Sequence, residues 1–119
     1  MAEPTFPLFP TDCRSGTVTA TFANGGTKSS VIDTSLWRVG TVYLPAEFNT
    51  DAITFEGAES ETGTFAVLLT SGAASVGFTA ANGARWYDIP TAAINCPFIK
   101  IVTGTATAAA ATIILNFKT

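Results

Sequence analysis

Thr17-Val18-Thr19-Ala20-Thr21-Phe22, followed at once by Asn24-Gly25-Gly26, is the stretch that decides the fold class of this chain. Threonine hydroxyls alternate with apolar side chains, the two-residue period of a strand with one face buried and one face wet. Asn-Gly-Gly then supplies residues that tolerate positive φ, so the strand ends in a tight turn. The same period recurs downstream. Trp37, Val39, Thr41 and Tyr43 share one face of a strand that Pro45 ends, and this face reads as the core-facing one. Ile53 and Phe55 alternate with Thr54 and Glu56. Phe65-Ala66-Val67-Leu68-Leu69 is apolar on both faces and reads as a central strand. Val76-Gly77-Phe78-Thr79 and Arg85-Trp86-Tyr87-Asp88 flank Asn82-Gly83, a hairpin-type turn. Phe98-Ile99-Lys100-Ile101-Val102 and Thr112-Ile113-Ile114-Leu115-Asn116-Phe117 close the chain.

No window carries a 3.6-residue apolar stripe with charges opposite, so long helices are excluded. Single helical turns fit around Asp33-Thr34-Ser35-Leu36 and Pro90-Thr91-Ala92-Ala93-Ile94. The alanine-rich stretch from 106 to 111 has helical propensity, but it follows Thr103-Gly104 and reads as a loop into the last strand. About eight short strands with turn signals every 8–12 residues predict an all-β fold: a single-domain antiparallel β-sandwich of jelly-roll type. The sandwich is assigned to residues 13–119. Residues 1–12 form an extended N-terminal arm, in which Pro4, Pro7 and Pro10 are interleaved with Phe6, Leu8 and Phe9.

Composition narrows the function. Of 119 residues, 20 are Thr, 47% are hydrophobic and only 13% are charged, against about 25% charged in an ordinary soluble domain. Six basic residues stand against nine acidic ones, leaving no basic stripe to neutralise phosphates, so no nucleic-acid partner is expected. No run of apolar residues is long enough to span a membrane. Met1 to Pro10 has no basic region followed by an apolar run, so a secretory signal is not expected. Cys13 and Cys96 are expected to remain unpaired thiols in a reducing cytoplasm.

Histidine is absent, which removes the commonest general base and metal ligand. No Ser stands in a Gly-x-Ser-x-Gly elbow, and Lys28, Lys100 and Lys118 lie in no recognisable catalytic motif. Residues 47–61 hold Glu47, Asp51, Glu56, Glu59 and Glu61 with no Lys or Arg. Their spacing is not that of a calcium loop, and the glycine-bounded turn around Glu59 and Glu61 reads as a solvated loop. The expectation is therefore no enzyme, no metal and no cofactor. Two binding candidates remain. Phe6, Leu8 and Phe9 of the arm have no reason to stay in water and are assigned to a partner surface. Arg85, Trp86 and Asp88 are the alternative, a ring-stacking surface with polar neighbours that suits a sugar.

The order of these segments resembles that of small structural proteins of tailed bacteriophages. The residues that carry the resemblance are Trp37-Arg38-Val39-Gly40-Thr41-Val42-Tyr43-Leu44-Pro45-Ala46-Glu47-Phe48, then Ile53-Thr54-Phe55-Glu56-Gly57 and Trp86-Tyr87-Asp88-Ile89-Pro90. Pro97-Phe98-Ile99-Lys100-Ile101-Val102-Thr103-Gly104 and Ile113-Ile114-Leu115-Asn116-Phe117-Lys118 complete it. Within it, a G-x-[VI]-x-x-P-x-x-[FW] strand precedes an [IL]-T-F strand and an [FY]-[IVL]-[KR]-[LIV] strand. The resemblance spans residues 36–118 and carries strand signatures without catalytic residues. It implies a jelly-roll decoration, or cement, protein of a phage capsid. Such a protein binds the major capsid protein on the outer surface of the virion, bridges capsomers and stabilises the lattice by mass action. A homo-oligomer, dimer or trimer, assembled in the bacterial host cytoplasm, goes with that reading. The pattern also overlaps galactose-binding-like sandwiches, which implies the alternative of a carbohydrate-binding module on a phage head or tail appendage.

Overall fold

The computed structural model describes residues 14–48, 51–107 and 109–119. The arm at 1–12, with Phe6, Leu8 and Phe9, lies outside the described residues, as does Cys13, so the expectation of two unpaired thiols is described only at Cys96. Nine strands follow in order: β1 (Ser15–Phe22), β2 (Ile32–Asp33), β3 (Val39–Leu44), β4 (Ala52–Ala58), β5 (Ala66–Val67), β6 (Gly77–Thr79), β7 (Arg85–Asp88), β8 (Phe98–Thr103) and β9 (Ala111–Lys118). A 3₁₀ turn (Ala46–Phe48) and one helical turn, α1 (Thr91–Ile94), interrupt them.

The strands form two antiparallel sheets. The first has the order β1-β9-β3-β7 and the second β2-β8-β4-β5, with β6 also on β4. The nesting of the pairs explains this order. β1 pairs with β9, β2 with β8, β3 with β7, and β4 with β5 and β6. Early strands thus meet late ones in concentric pairs, and the whole nested hairpin rolls up until β3 meets β9 and β4 meets β8. That is a jelly roll, two Greek keys closing into a sandwich.

The inner faces supply the core. Phe22, Val42, Leu44, Ile113, Leu115 and Phe117 come from the first sheet, and Ile32, Ile53, Phe55, Ile99 and Ile101 from the second, all essentially inaccessible. Phe48 of the 3₁₀ turn fills one end, tilted against Phe22 at 5.1 Å. Alternation along β1, β4, β8 and β9 therefore did the work that it does in any half-wet strand.

Three sequence expectations are corrected. The core face of β3 is Val42 and Leu44, with Val39, Thr41 and Tyr43 on the outer side. Trp37 does reach the core, but from the loop before β3, so it is out of phase with the strand. It lies over Gly16 and stacks on Phe117 at 5.8 Å. Gly16 and Gly40 flank Phe117 on the two neighbouring strands, and a β-carbon on Gly40 would lie 2.5 Å from the Phe117 ring. Two missing side chains make room for two large rings.

The second correction concerns Phe65-Ala66-Val67-Leu68-Leu69. It is an edge, not a central strand: only Ala66–Val67 pairs with β4, and Val67 and Leu69 are each half-exposed at 51%. At Leu68 the chain leaves β4 for a small protruding hairpin, closed by the Leu69–Ser75 bridge, and returns as β6. Third, Asn82-Gly83 does not close a hairpin. β6 lies in the second sheet and β7 in the first, so Gly83, at φ 85°, turns the chain across the sandwich. The reason is in Tyr87. Its ring points inward and stacks on Phe78 at 4.9 Å, and its hydroxyl oxygen accepts a 2.7 Å hydrogen bond from the Ala81 N–H, which fixes the crossover.

Candidate functional site

The outer face of the first sheet follows from the register alone. Three rows cross it: Lys118 and Val39; Thr17, Asn116, Thr41 and Asp88; then Thr19, Ile114, Tyr43 and Trp86. Thr21 and Thr112 extend it. This surface is rich in threonine and nearly uncharged, since among the described residues on it Asp88 and Lys118 bring the charge. Thr17 Oγ1 donates to Asn116 Oδ1 at 2.9 Å, tying two strands together across the face.

Tyr43 and Trp86 form the apolar part. Their rings are 5.4 Å apart and tilted, and Trp86 is 49% exposed. A half-exposed Trp beside a Tyr is a stacking surface held by two rigid strands. Where β7 ends at Asp88, a groove of about 400 Å³ opens over β3, lined by Val39, Gly40, Thr41, Asp88, Asn116 and Lys118. Asp88, Asn116 and Thr41 bring hydrogen-bonding groups to it.

Of the three residues assigned to sugar binding, the register brings Trp86 and Asp88 to this face. It gives Arg85 the opposite phase, paired with Leu44. The Arg85 guanidinium turns back to its own loop, where Nε donates to the Asn82 carbonyl at 2.9 Å. Tyr43 and Asn116 join Trp86 and Asp88 instead. Sequence reasoning missed them because they come from β3 and β9, and only cross-strand register shows that they are neighbours.

The acidic stretch is dispersed over the other side. Glu56 points outward from β4 and meets Lys28 at 2.9 Å. Glu59 and Glu61 stand in the exposed turn after β4, and Glu47 sits in the 3₁₀ turn. On the outer side of the second sheet, Lys100 lies over the Phe65 ring at 4.7 Å. Among the described residues no three His, Cys, Asp or Glu side chains cluster closely enough to hold a metal ion. No helix among them is long and apolar enough to cross a membrane.

Neither a family model nor a curated protein matches this chain in sequence. In fold it is similar to the SPBc2 prophage-derived protein YomS, whose crystal structure superposes with a TM-score of 0.57 at 14% identity. The match covers 95% of this chain and 100% of that one. At that identity the likeness is one of architecture: this chain and a prophage-derived protein share a β-sandwich.

Proposed function

We propose that this chain is a bacteriophage virion protein that decorates the outer capsid surface, binding the major capsid protein and bridging capsomers. The observation that carries the reading is the segregation of charge. One whole sheet face is threonine-rich and carries Asp88 and Lys118 as its charges, while Glu56 stands on β4 of the other sheet and Glu59 and Glu61 in the exposed turn that follows it. A nearly neutral face meets a protein lattice without stripping water from many ions, whereas burying unpaired carboxylates would cost several kcal/mol each, on the order of the ion-desolvation penalty. A shared fold with a prophage-derived protein is consistent with a phage setting.

The test is immunogold electron microscopy of virions whose genome encodes this chain, with antibody raised against residues 14–119. Label spread over the head surface is the expected result. Label confined to the tail, or found only on unassembled protein, overturns it.

A second reading rests on the Trp86 platform and the groove beside Asp88 and Asn116, which together suit a sugar ring with its hydroxyls. In this case the chain is a carbohydrate-binding module of a head or tail appendage. Quenching or blue-shift of Trp86 fluorescence on titration with simple sugars, lost in Trp86→Ala, separates it from decoration.

A further inference from the structure

Among the described residues, the Ser15–Thr19 part of β1 is the unguarded edge of the sandwich. Native sheets blunt their edges with short strands, charges, prolines or bulges. Here β2 and β5 have two residues each, β6 has three, and β7 has four with Arg85 and Asp88 and runs into Pro90. β1 has eight residues without a charge or a proline, and its register against β9 is unbroken from Ser15 to Phe22.

The phase of its hydrogen bonds shows which groups face outward. The Arg14 N–H donates to Thr119 Oγ1 at 2.8 Å, and the Arg14 carbonyl accepts from the Thr119 N–H at 3.0 Å, so even-numbered residues face β9. Odd-numbered ones face away. At Thr21 the outward N–H donates to Ser30 Oγ at 3.1 Å, and its carbonyl accepts from the Ser30 N–H at 2.9 Å. Ser15, Thr17 and Thr19 have the same outward orientation, and no described residue bonds their backbone.

We propose that this edge pairs antiparallel with the β1 edge of a second copy, about a two-fold axis at Thr17. The set Ser15, Thr17, Thr19 is self-complementary. With Thr17 opposite its counterpart, Ser15 meets Thr19 and Thr19 meets Ser15, so each outward N–H and carbonyl finds a partner. Apolar flanks support the seam. Val18 and Trp37 are partly buried, and Leu36, 72% exposed, lines a groove with Arg14, Trp37 and Thr119 at the end of the strand.

The length of chain before Arg14 argues for a second copy as the occupant. Pro4 and Pro10 share one strand phase and Pro7 the other. A fold-back of the arm onto its own β1 would therefore lose a ladder donor in either register. Antiparallel pairing of β1 with a second β1 instead uses Ser15, Thr17 and Thr19, all of which keep their donors. Edge pairing alone falls short of the roughly 1,200–2,000 Å² of a stable interface. A second copy that also takes Phe6 and Phe9 would bury about 300–500 Å² more per arm, and symmetry doubles it. The product is one continuous eight-stranded sheet with a single outer face, whichever ligand that face carries.

Sedimentation velocity across micromolar concentrations, combined with backbone amide exchange on the intact chain, tests this. A dimer is expected, with the Thr17 and Thr19 amides protected in it and exchanging fast on dilution. Thr17→Pro removes an outward donor together with the Thr17–Asn116 side-chain bond; it should weaken dimerisation about a hundredfold, whereas Thr17→Val, which loses the side-chain bond but keeps the backbone donor, should leave dimerisation within about threefold. A monomer at all concentrations overturns the proposal. So does a dimer in which these amides exchange freely, or one that Thr17→Pro leaves unchanged. Protection of Thr17 and Thr19 in a monomer, released by deleting residues 2–10, would show the arm covering its own edge and overturns it equally.

Discussion

Gly40 stands where a strand would ordinarily carry a side chain, and the structure says what replaces it. Phe117 lies opposite on β9 with its ring over the glycine: a β-carbon at Gly40 would approach Cδ1 to 2.5 Å, Cε1 to 2.8 Å and the Asn116 carbonyl oxygen to 3.1 Å. Phe117 has little freedom to retreat. It is fully buried and is stacked against Trp37 at 5.8 Å, which itself lies over Gly16. Gly40→Ala should therefore overpack the core and cost about 2 kcal/mol, within the range of roughly 1–3 kcal/mol for an inserted methyl group. In a background where the ring is gone, the same substitution should lose most of that penalty. Alanine even gains about 0.5–1 kcal/mol over glycine inside a strand through its smaller backbone entropy loss. Phe117→Leu keeps the site apolar and costs about 1–2 kcal/mol by itself. Independent sites would make the double variant about 3–4 kcal/mol less stable than the native chain by summing those terms. Steric coupling predicts a double variant close to Phe117→Leu alone, an interaction of about 2 kcal/mol. Urea unfolding followed by tryptophan fluorescence measures all four corners of the cycle. Additive effects would refute the idea that this glycine exists to seat the Phe117 ring.

Ala73 is held at φ 65° in the tip of the small hairpin between β5 and β6, where the Thr70 carbonyl accepts from its N–H at 2.8 Å. Ala73→Gly should raise stability by about 0.5–1 kcal/mol, read as a higher urea midpoint at unchanged slope, since a left-handed alanine is strained. Gly77→Ala should prevent folding, because its β-carbon would fall 2.0 Å from the Ile53 carbonyl oxygen, a backbone atom with no freedom to move; loss of the dispersed amide NMR spectrum is the readout. Trp86→Ala should change stability by less than about 1 kcal/mol, as a half-exposed side chain, yet abolish binding to the outer face of the first sheet, measured as capsid co-sedimentation. Glu59→Gln with Glu61→Gln should leave both stability and capsid occupancy unchanged at low and high salt, because exposed carboxylates in a turn contribute little.

The sandwich was legible because its strongest strands are half-wet, and alternation in β1, β4, β8 and β9 reports burial directly. Legibility failed where a residue's environment was set by something other than its own strand. Phe65-Ala66-Val67-Leu68-Leu69 looks central by composition, but the chain leaves β4 at Leu68, and no local pattern announces that departure. Trp37 appears in phase with Val39 and Tyr43, yet it precedes the strand and owes its burial to Gly16, remote in sequence. Arg85-Trp86-Tyr87-Asp88 reads as one candidate surface, but alternation splits it: Trp86 and Asp88 go outward, Tyr87 goes inward and Arg85 returns to Asn82. Tyr43 and Asn116 complete that face from two other strands. Such neighbours become visible only once register is known.

The same geometry explains why no motif identifies the site. An active centre concentrates its free energy in a few convergent groups, and sequence motifs record them. The face formed by Thr17, Thr19, Thr41, Tyr43, Trp86, Thr112, Ile114 and Asn116 spreads its contacts over four strands, each giving one or two residues. Recognition on such a face depends on area, flatness and the absence of unpaired charge, with Trp86 and Tyr43 as the anchors that supply most of the energy. Threonine suits it, since its methyl group packs while its hydroxyl bonds to whatever it meets, and its β-branched side chain favours the strand on which it stands. On the proposed reading, the high threonine content and the low charge are the sequence record of a binding surface, written as composition and not as a motif.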